Sequence, residues 1–178
     1  MPILPSPAAR YRVPVHLRTA TPDEAPAILA LRTAAERWLA DRGIEQWHPG
    51  EITLAGATSQ ARDGEWHLAS DNGVACATLR LLWSDPLWTG IGTQRPAVYV
   101  HGLVIDRAYA GQGLGARLLD WATEQGRQAG AEVLRLDCVE INPALRSYYA
   151  RIGFREVGRR DFDGPWHSAV LLEREIDT

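Results

Sequence analysis

The run Ala110-Gly111-Gln112-Gly113-Leu114-Gly115 constrains this chain more than any other stretch. It follows the apolar segment Val98 to Ile105 and leads into Leu114, Leu118, Trp121 and Ala122, whose spacing marks one buried face of a helix. A strand therefore passes through glycines into a helix. Without side chains there, backbone N–H groups and the positive end of the helix dipole can approach a pyrophosphate closely. A tight strand-to-helix turn would be satisfied by the same residues, so glycines alone are weak evidence for a ligand.

The rest of the chain fits around this turn. His16 to Arg18 reads as a strand, and Thr21-Pro22-Asp23-Glu24 stands in capping-box order before a helix carrying Ile28, Leu31, Ala35, Trp38 and Leu39. Gly43 can stop that helix, and a short second one is expected from Glu51 towards Arg62. Trp66 to Ala69 and Val74 to Trp83 form a hairpin, with Asn72-Gly73 supplying the positive backbone angles of its turn. Ser84 to Pro96 is an irregular connection. Beyond it come the strand Val98 to Ile105, a helix from Gly113 to about Gln128, a strand Val133 to Cys138 and a helix Asn142 to Ile152. Strands near Arg155 to Arg160 and Ser168 to Leu172 close the order. This predicts an α/β sandwich of three layers: a mixed central sheet with a parallel pair at the glycine-rich turn, and helices on both faces.

At 178 residues the chain has the length of one domain, expected over 15–178. Four prolines in the first fourteen residues favour an extended, loosely ordered arm over 1–14. A net charge of −3 gives no surplus for a phosphate backbone, so no nucleic-acid partner is expected. No apolar run is long enough to span a membrane, and none is expected to be a partner. Cys76 and Cys138 lie in apolar runs and suggest neither metal nor disulfide, which fits buried thiols in the cytoplasm.

A dinucleotide fingerprint competes for the glycine-rich turn, since Gly111-x-Gly113-x-x-Ala116 matches its permissive form and Asp137 lies near the end of the following strand. Against it, Asp106 to Ala110 separate strand from glycines, and too little chain follows for a doubly wound sheet.

Leu103-Val104-Ile105 followed by Gly111-Gln112-Gly113-Leu114-Gly115 resembles the acyl-CoA-binding motif of the GNAT N-acetyltransferase superfamily. Asn142, Tyr149, Gly153 and Phe154 fall at the spacing of that superfamily's next helix and strand. The resemblance implies a GNAT-like fold, acetyl-CoA as acyl donor, and transfer to the amine of a small molecule or peptide by direct attack on the thioester. It places the cofactor on Leu103, Val104, Ile105, Gly111, Gln112, Gly113, Leu114, Gly115 and Ala116, with Asn142 on the pantetheine arm. Asn142-Pro143 also has the signature of a plain helix cap. Where the superfamily usually has arginine or glutamine the chain has Ala110, so that contact is either missing or supplied by Arg107, Gln112 or Arg117. A homodimer paired through the final strands is the expected assembly. A non-catalytic acyl-CoA-binding module is the alternative.

The chemistry needs a proton acceptor for the amine and a donor for the departing thiolate. By the resemblance Tyr149 is the donor, although Leu145, Tyr148, Tyr149 and Ile152 also form an ordinary apolar stripe. His101, on the strand before the turn and on the same face as Tyr99, is the candidate base: an imidazole titrates near 6.5. A strand histidine is as often structural. Tyr99, Asp137 and Glu140 are further candidates. For the acceptor, Gln46, Trp47 and His48, and Trp83, Asp85 and Trp88 around the long connection, can line a pocket or simply pack, and Tyr99 is grouped with them.

Overall fold

The structure is a computed structural model that describes residues 16–91, 94–163 and 167–177. The arm expected over 1–14 lies outside the described residues. In chain order the elements are β1 (His16–Thr19), α1 (Ala25–Ala40), α2 (Leu54–Arg62), β2 (Trp66–Asp71), β3 (Val74–Leu82) and β4 (Ala97–Ile105). There follow α3 (Leu114–Gln128), β5 (Val133–Val139), α4 (Pro143–Arg151), β6 (Arg155–Arg160) and β7 (Ala169–Glu175). The strands form a seven-stranded sheet in the order β1-β2-β3-β4-β5-β7-β6. All neighbours are antiparallel except β4 and β5.

Local chemistry sets the helix starts. The Thr21 N–H donates to the Glu24 carboxylate at 2.9 Å, and one 3-10 turn over Pro22–Glu24 precedes α1. The second helix begins at Leu54 rather than Glu51 because Thr53 caps it, its hydroxyl accepting from the Gly56 N–H at 3.1 Å. Helices α3 and α4 cover one face, where Leu114, Leu118, Leu119 and Tyr149 pack on Leu79, Val98, Val100 and Leu136. On the other face Ile28 and Leu31 of α1 and Ala61 of α2 pack on Trp66, Leu68 and Val104. A smaller cluster joins Trp88, Tyr99 and Leu171. The expected three-layer sandwich is present.

Two features of β4 position the site. Its pairing with β5 is confined to Ala97, Val98 and Tyr99 against Val133, Leu134 and Arg135. Beyond these rungs the two strands part, each keeping its other neighbour. The second feature is a bulge: Arg80 pairs with His101 and Thr78 with Val104, so Leu79 alone faces Gly102 and Leu103. The extra residue inverts the alternation. Val98 and Val100 face α3, but Val104 faces α1, which a regular strand would not allow.

Gly102 makes the bulge possible, with φ at +57° and Trp66 Cη2 only 2.9 Å from where a Cβ would stand. The indole is fixed, because its N–H donates to Gln60 at 2.9 Å. Gly102→Ala is therefore expected to cost about 1–3 kcal/mol, from the left-handed backbone angle and from overpacking. Urea unfolding would check this; a loss below about 0.5 kcal/mol, the level of an ordinary surface substitution, would contradict it.

Candidate active site

The parting of β4 from β5 opens a cavity of about 540 Å³. Val100, His101, Gly102 and Leu103 line it from β4, and Leu136, Asp137, Cys138 and Val139 from β5. Tyr149 of α4, Trp47 and His48 before α2, and His167 before β7 complete most of its wall. Residues far apart in sequence meet here because the sheet stops pairing here.

His101 sits between two carboxylates. Its Nε2 lies 2.9 Å from Asp85 Oδ2, and its Nδ1 lies 3.6 Å from Asp137 Oδ1. Burial opposes the imidazolium, but the Asp85 hydrogen bond and the charge of Asp137 outweigh it and raise the His101 pKa above its ordinary value. Burial also opposes charge on Asp85, yet the His101 hydrogen bond and the Leu87 N–H hold its pKa below the ordinary carboxylate value. Burial pushes Asp137 up.

Tyr149 is 7% exposed, and burial, followed by the influence of Cys138, Tyr148 and Asp137, drives its pKa well above that of free tyrosine. It stays protonated. No hydrogen bond to its hydroxyl occurs among the described residues, although its ring lies edge-on to Tyr148 and Phe154. Cys138 is a buried thiol, pushed up to about 12 chiefly by burial, so it is not a nucleophile at neutral pH.

The glycine-rich turn caps α3 at the far end of β4. Gly111 and Gly113 both have φ of +75°, with open space around them, so their conformation rather than crowding calls for glycine. Gly115 is different: a Cβ there would stand 2.7 Å from the Tyr148 hydroxyl. The first turn of α3, including Leu114, Gly115 and Ala116, has backbone N–H groups without intrahelical partners, as any helix start does. Gln112 donates back to the Ala108 carbonyl at 3.1 Å, and the Arg107 guanidinium lies 4.0 Å from the Trp38 ring. Val104 and Ile105 belong to the core, and only Leu103 of that trio lines the cavity.

Asn142 caps α4, accepting from the Leu145 N–H at 3.1 Å, and its amide donates to Gln46 at 3.1 Å. The cap role is thus present, with a link to the Trp47 loop in addition. Trp47 lies 3.8 Å beneath the guanidinium of Arg32, a buried α1 residue held by Glu36 and Glu51 at 2.8 Å each. Arg32 lines the cavity and had no distinguishing signal beyond its i,i+4 spacing to Glu36. Glu45 accepts from His167 at 2.7 Å, tying the Trp47 loop to the approach to β7.

Other candidates lie elsewhere. Tyr99 shares a strand face with His101 but does not line the cavity; its hydroxyl accepts from Arg135 at 3.2 Å beside Trp88. Trp88 is buried in that cluster and Trp83 is exposed. Glu140 is occupied at the surface by Arg159. The dinucleotide reading fails on topology, because a sheet antiparallel at all but one junction is not doubly wound.

The mixed sheet thus parts at its parallel pair, with a glycine-capped helix beyond β4 and with His101 and Tyr149 lining the parting. The family model described as Acetyltransferase (GNAT) family matches residues 30–154. The chain belongs to that family. It is 33% identical over 162 residues to a Bacillus subtilis protein named uncharacterized N-acetyltransferase YesJ, covering 86% of each. Among solved structures, a GNAT-family acetyltransferase from Listeria monocytogenes superposes with a TM-score of 0.74 at 24% identity, covering 90% of this chain and 94% of that one. YncA of Salmonella typhimurium, solved with its cofactor acetyl-CoA, superposes with a TM-score of 0.66 at 16% identity over 92% and 95% of the two chains.

Proposed function

We propose that this protein transfers an acetyl group from acetyl-CoA to the amine of a small molecule or peptide by direct attack, within one domain spanning 15–178. The observation that carries the reading is the cavity at the parting of β4 and β5, which both His101 and Tyr149 line. The donor supplies an acetyl group already activated as a thioester. The residues fit such a group: a slot between two parted strands accepts an extended arm, and the α3 start beyond it suits a pyrophosphate.

Backbone groups of Leu103, Val104 and Ile105 hold the donor as a neighbouring strand would. Gly111 to Ala116 receive its phosphates, and Asn142 orients the arm between them. His101 takes the proton of the entering ammonium, which frees the nitrogen lone pair for attack. Tyr149 gives its proton to the departing sulfur, and the nitrogen's second proton replaces it. Trp47 and His48 form the acceptor side, while the position of Tyr99 supports no contact with the acceptor. The reading extends to a cytoplasmic homodimer paired through the final strands, of which β6 is a sheet edge among the described residues.

Calorimetric titration with acetyl-CoA, CoA and NADH, followed by thiol release against a panel of amines, tests this. Saturable binding of the CoA compounds with amine-dependent thiol release is expected. Binding without release from any amine would leave a non-catalytic acyl-CoA module, and binding of NADH alone would overturn the reading.

A further inference from the structure

Asp85 touches the cavity only through His101. Its side chain is 9% exposed, and both oxygens are committed: Oδ1 accepts from the Leu87 N–H at 2.9 Å and Oδ2 faces His101 Nε2 at 2.9 Å. The Leu87 bond makes Asp85 the cap of a 3-10 turn over Pro86–Trp88, and Trp88 is anchored in the core. A carboxylate fixed this way cannot swing aside. Because an ionised carboxylate only accepts, Nε2 must carry the imidazole proton, and the neutral ring then has its lone pair on Nδ1.

Nδ1 is the atom nearer to Asp137, but 3.6 Å is too long for a hydrogen bond between them. Both groups line the cavity. The gap suits a third partner that donates to each, which a primary ammonium can do through two of its N–H groups.

We propose that Asp85 is a positioning residue that fixes His101 as the Nε2–H tautomer, so that Nδ1, flanked by Asp137, is the atom that deprotonates the acceptor ammonium. The inference rests on the acetyl-transfer reading above. One proton moves from nitrogen to Nδ1; the ammonium becomes a neutral amine and the imidazole an imidazolium lying between two carboxylates. The other charged group facing His101 is Arg80 of β3, which opposes the imidazolium and is itself paired with Glu65. Glu51 faces Asp137 from before α2 and disfavours its ionised form. The raised His101 pKa agrees with a ring whose charged form is held from both sides.

The test uses the full chain and two variants. Asp85→Asn keeps an oxygen for Leu87 but offers His101 a donor, which favours the opposite tautomer; Asp85→Ser keeps a capping oxygen and removes the carboxylate. Nitrogen-15 spectra of the imidazole, pH–rate profiles with a primary amine and acetyl-CoA titrations are measured on each. In the parent, the Nε2–H tautomer is expected, with activity rising as pH passes through a His101 pKa above about 6.5. In Asp85→Asn the tautomer should invert and plateau kcat fall by about 10²–10⁴-fold, with acetyl-CoA affinity unchanged. Both variants lose a stabiliser of the imidazolium, so the acid limb of kcat/KM should move to lower pH, which a merely structural role would not produce.

An unmoved limb with undiminished kcat in folded variants would overturn the proposal. So would a parent His101 protonated on Nδ1, a result that needs no variant to fold. Absence of transfer to any amine would instead overturn the acetyl-transfer reading, with the tautomer and its response to Asp85→Asn still reporting on the pair.

Discussion

Tyr149→Phe is expected to lower kcat for acetyl transfer by about 10²–10⁴-fold, the range for loss of a positioned general acid. Acetyl-CoA affinity should stay unchanged. The ring keeps its edge-on contacts with Tyr148 and Phe154, so packing is preserved and only the hydroxyl is removed. That hydroxyl bonds to no described residue, so its loss leaves no protein donor or acceptor stranded. A side chain present only for packing would tolerate the change, and the apolar stripe on α4 shows that packing is also part of its role. Saturation kinetics of thiol release, with calorimetry on the same preparation, separate the two contributions. Unchanged kcat would remove Tyr149 from the chemistry.

Glu173→Gln is expected to destabilise the fold by about 3–5 kcal/mol, the cost of removing one partner from a buried ion pair. Arg135 and Glu173 are 3% and 2% exposed, on adjacent strands β5 and β7, with Nε and Oε2 2.9 Å apart. The guanidinium also donates to Tyr99 and lies 4.8 Å from the Trp88 ring, so it cannot move to water without opening that cluster. Arg155 reaches the other Glu173 oxygen at 2.8 Å from a largely exposed position and contributes less. Glutamine keeps the shape and removes the charge. Urea unfolding monitored by tryptophan fluorescence measures the difference, and a loss below about 1 kcal/mol, the size of an exposed pair, would refute the argument.

These two residues also mark the limit of what the sequence discloses. The expected final strand stops at Leu172, whereas β7 runs to Glu175 and buries Glu173 against Arg135. Periodicity carries no information about a counter-charge 38 residues away. The hairpin turn at Asn72-Gly73, the start of α1 and the glycine cap of α3 were legible because each is written in adjacent residues. His101 was legible as a candidate from its place on the strand before the glycine-rich turn, and Tyr149 from the resemblance that Asn142, Gly153 and Phe154 share with it. Asp85 was visible as a loop acid that could line a pocket but not as a partner of His101, and Arg32 only as a helix residue, since their partners come from other elements. The bulge had one local sign, a glycine inside an apolar strand, which indicates a bulge without fixing which side chains exchange faces.

The brief pairing of β4 with β5 has a mechanical consequence. Strands β1 to β4 make one plate and β5 to β7 another, riveted along a seam from Ala97 to Tyr99. At the closed end of that seam Arg95 clasps Glu132 at 3.0 Å and Glu175 at 2.7 Å, just where β4 and β5 begin. The two plates diverge from that seam, so the width of the opening between His101 and Asp137 follows from how the plates are inclined where they join, among side chains that do not line the cavity.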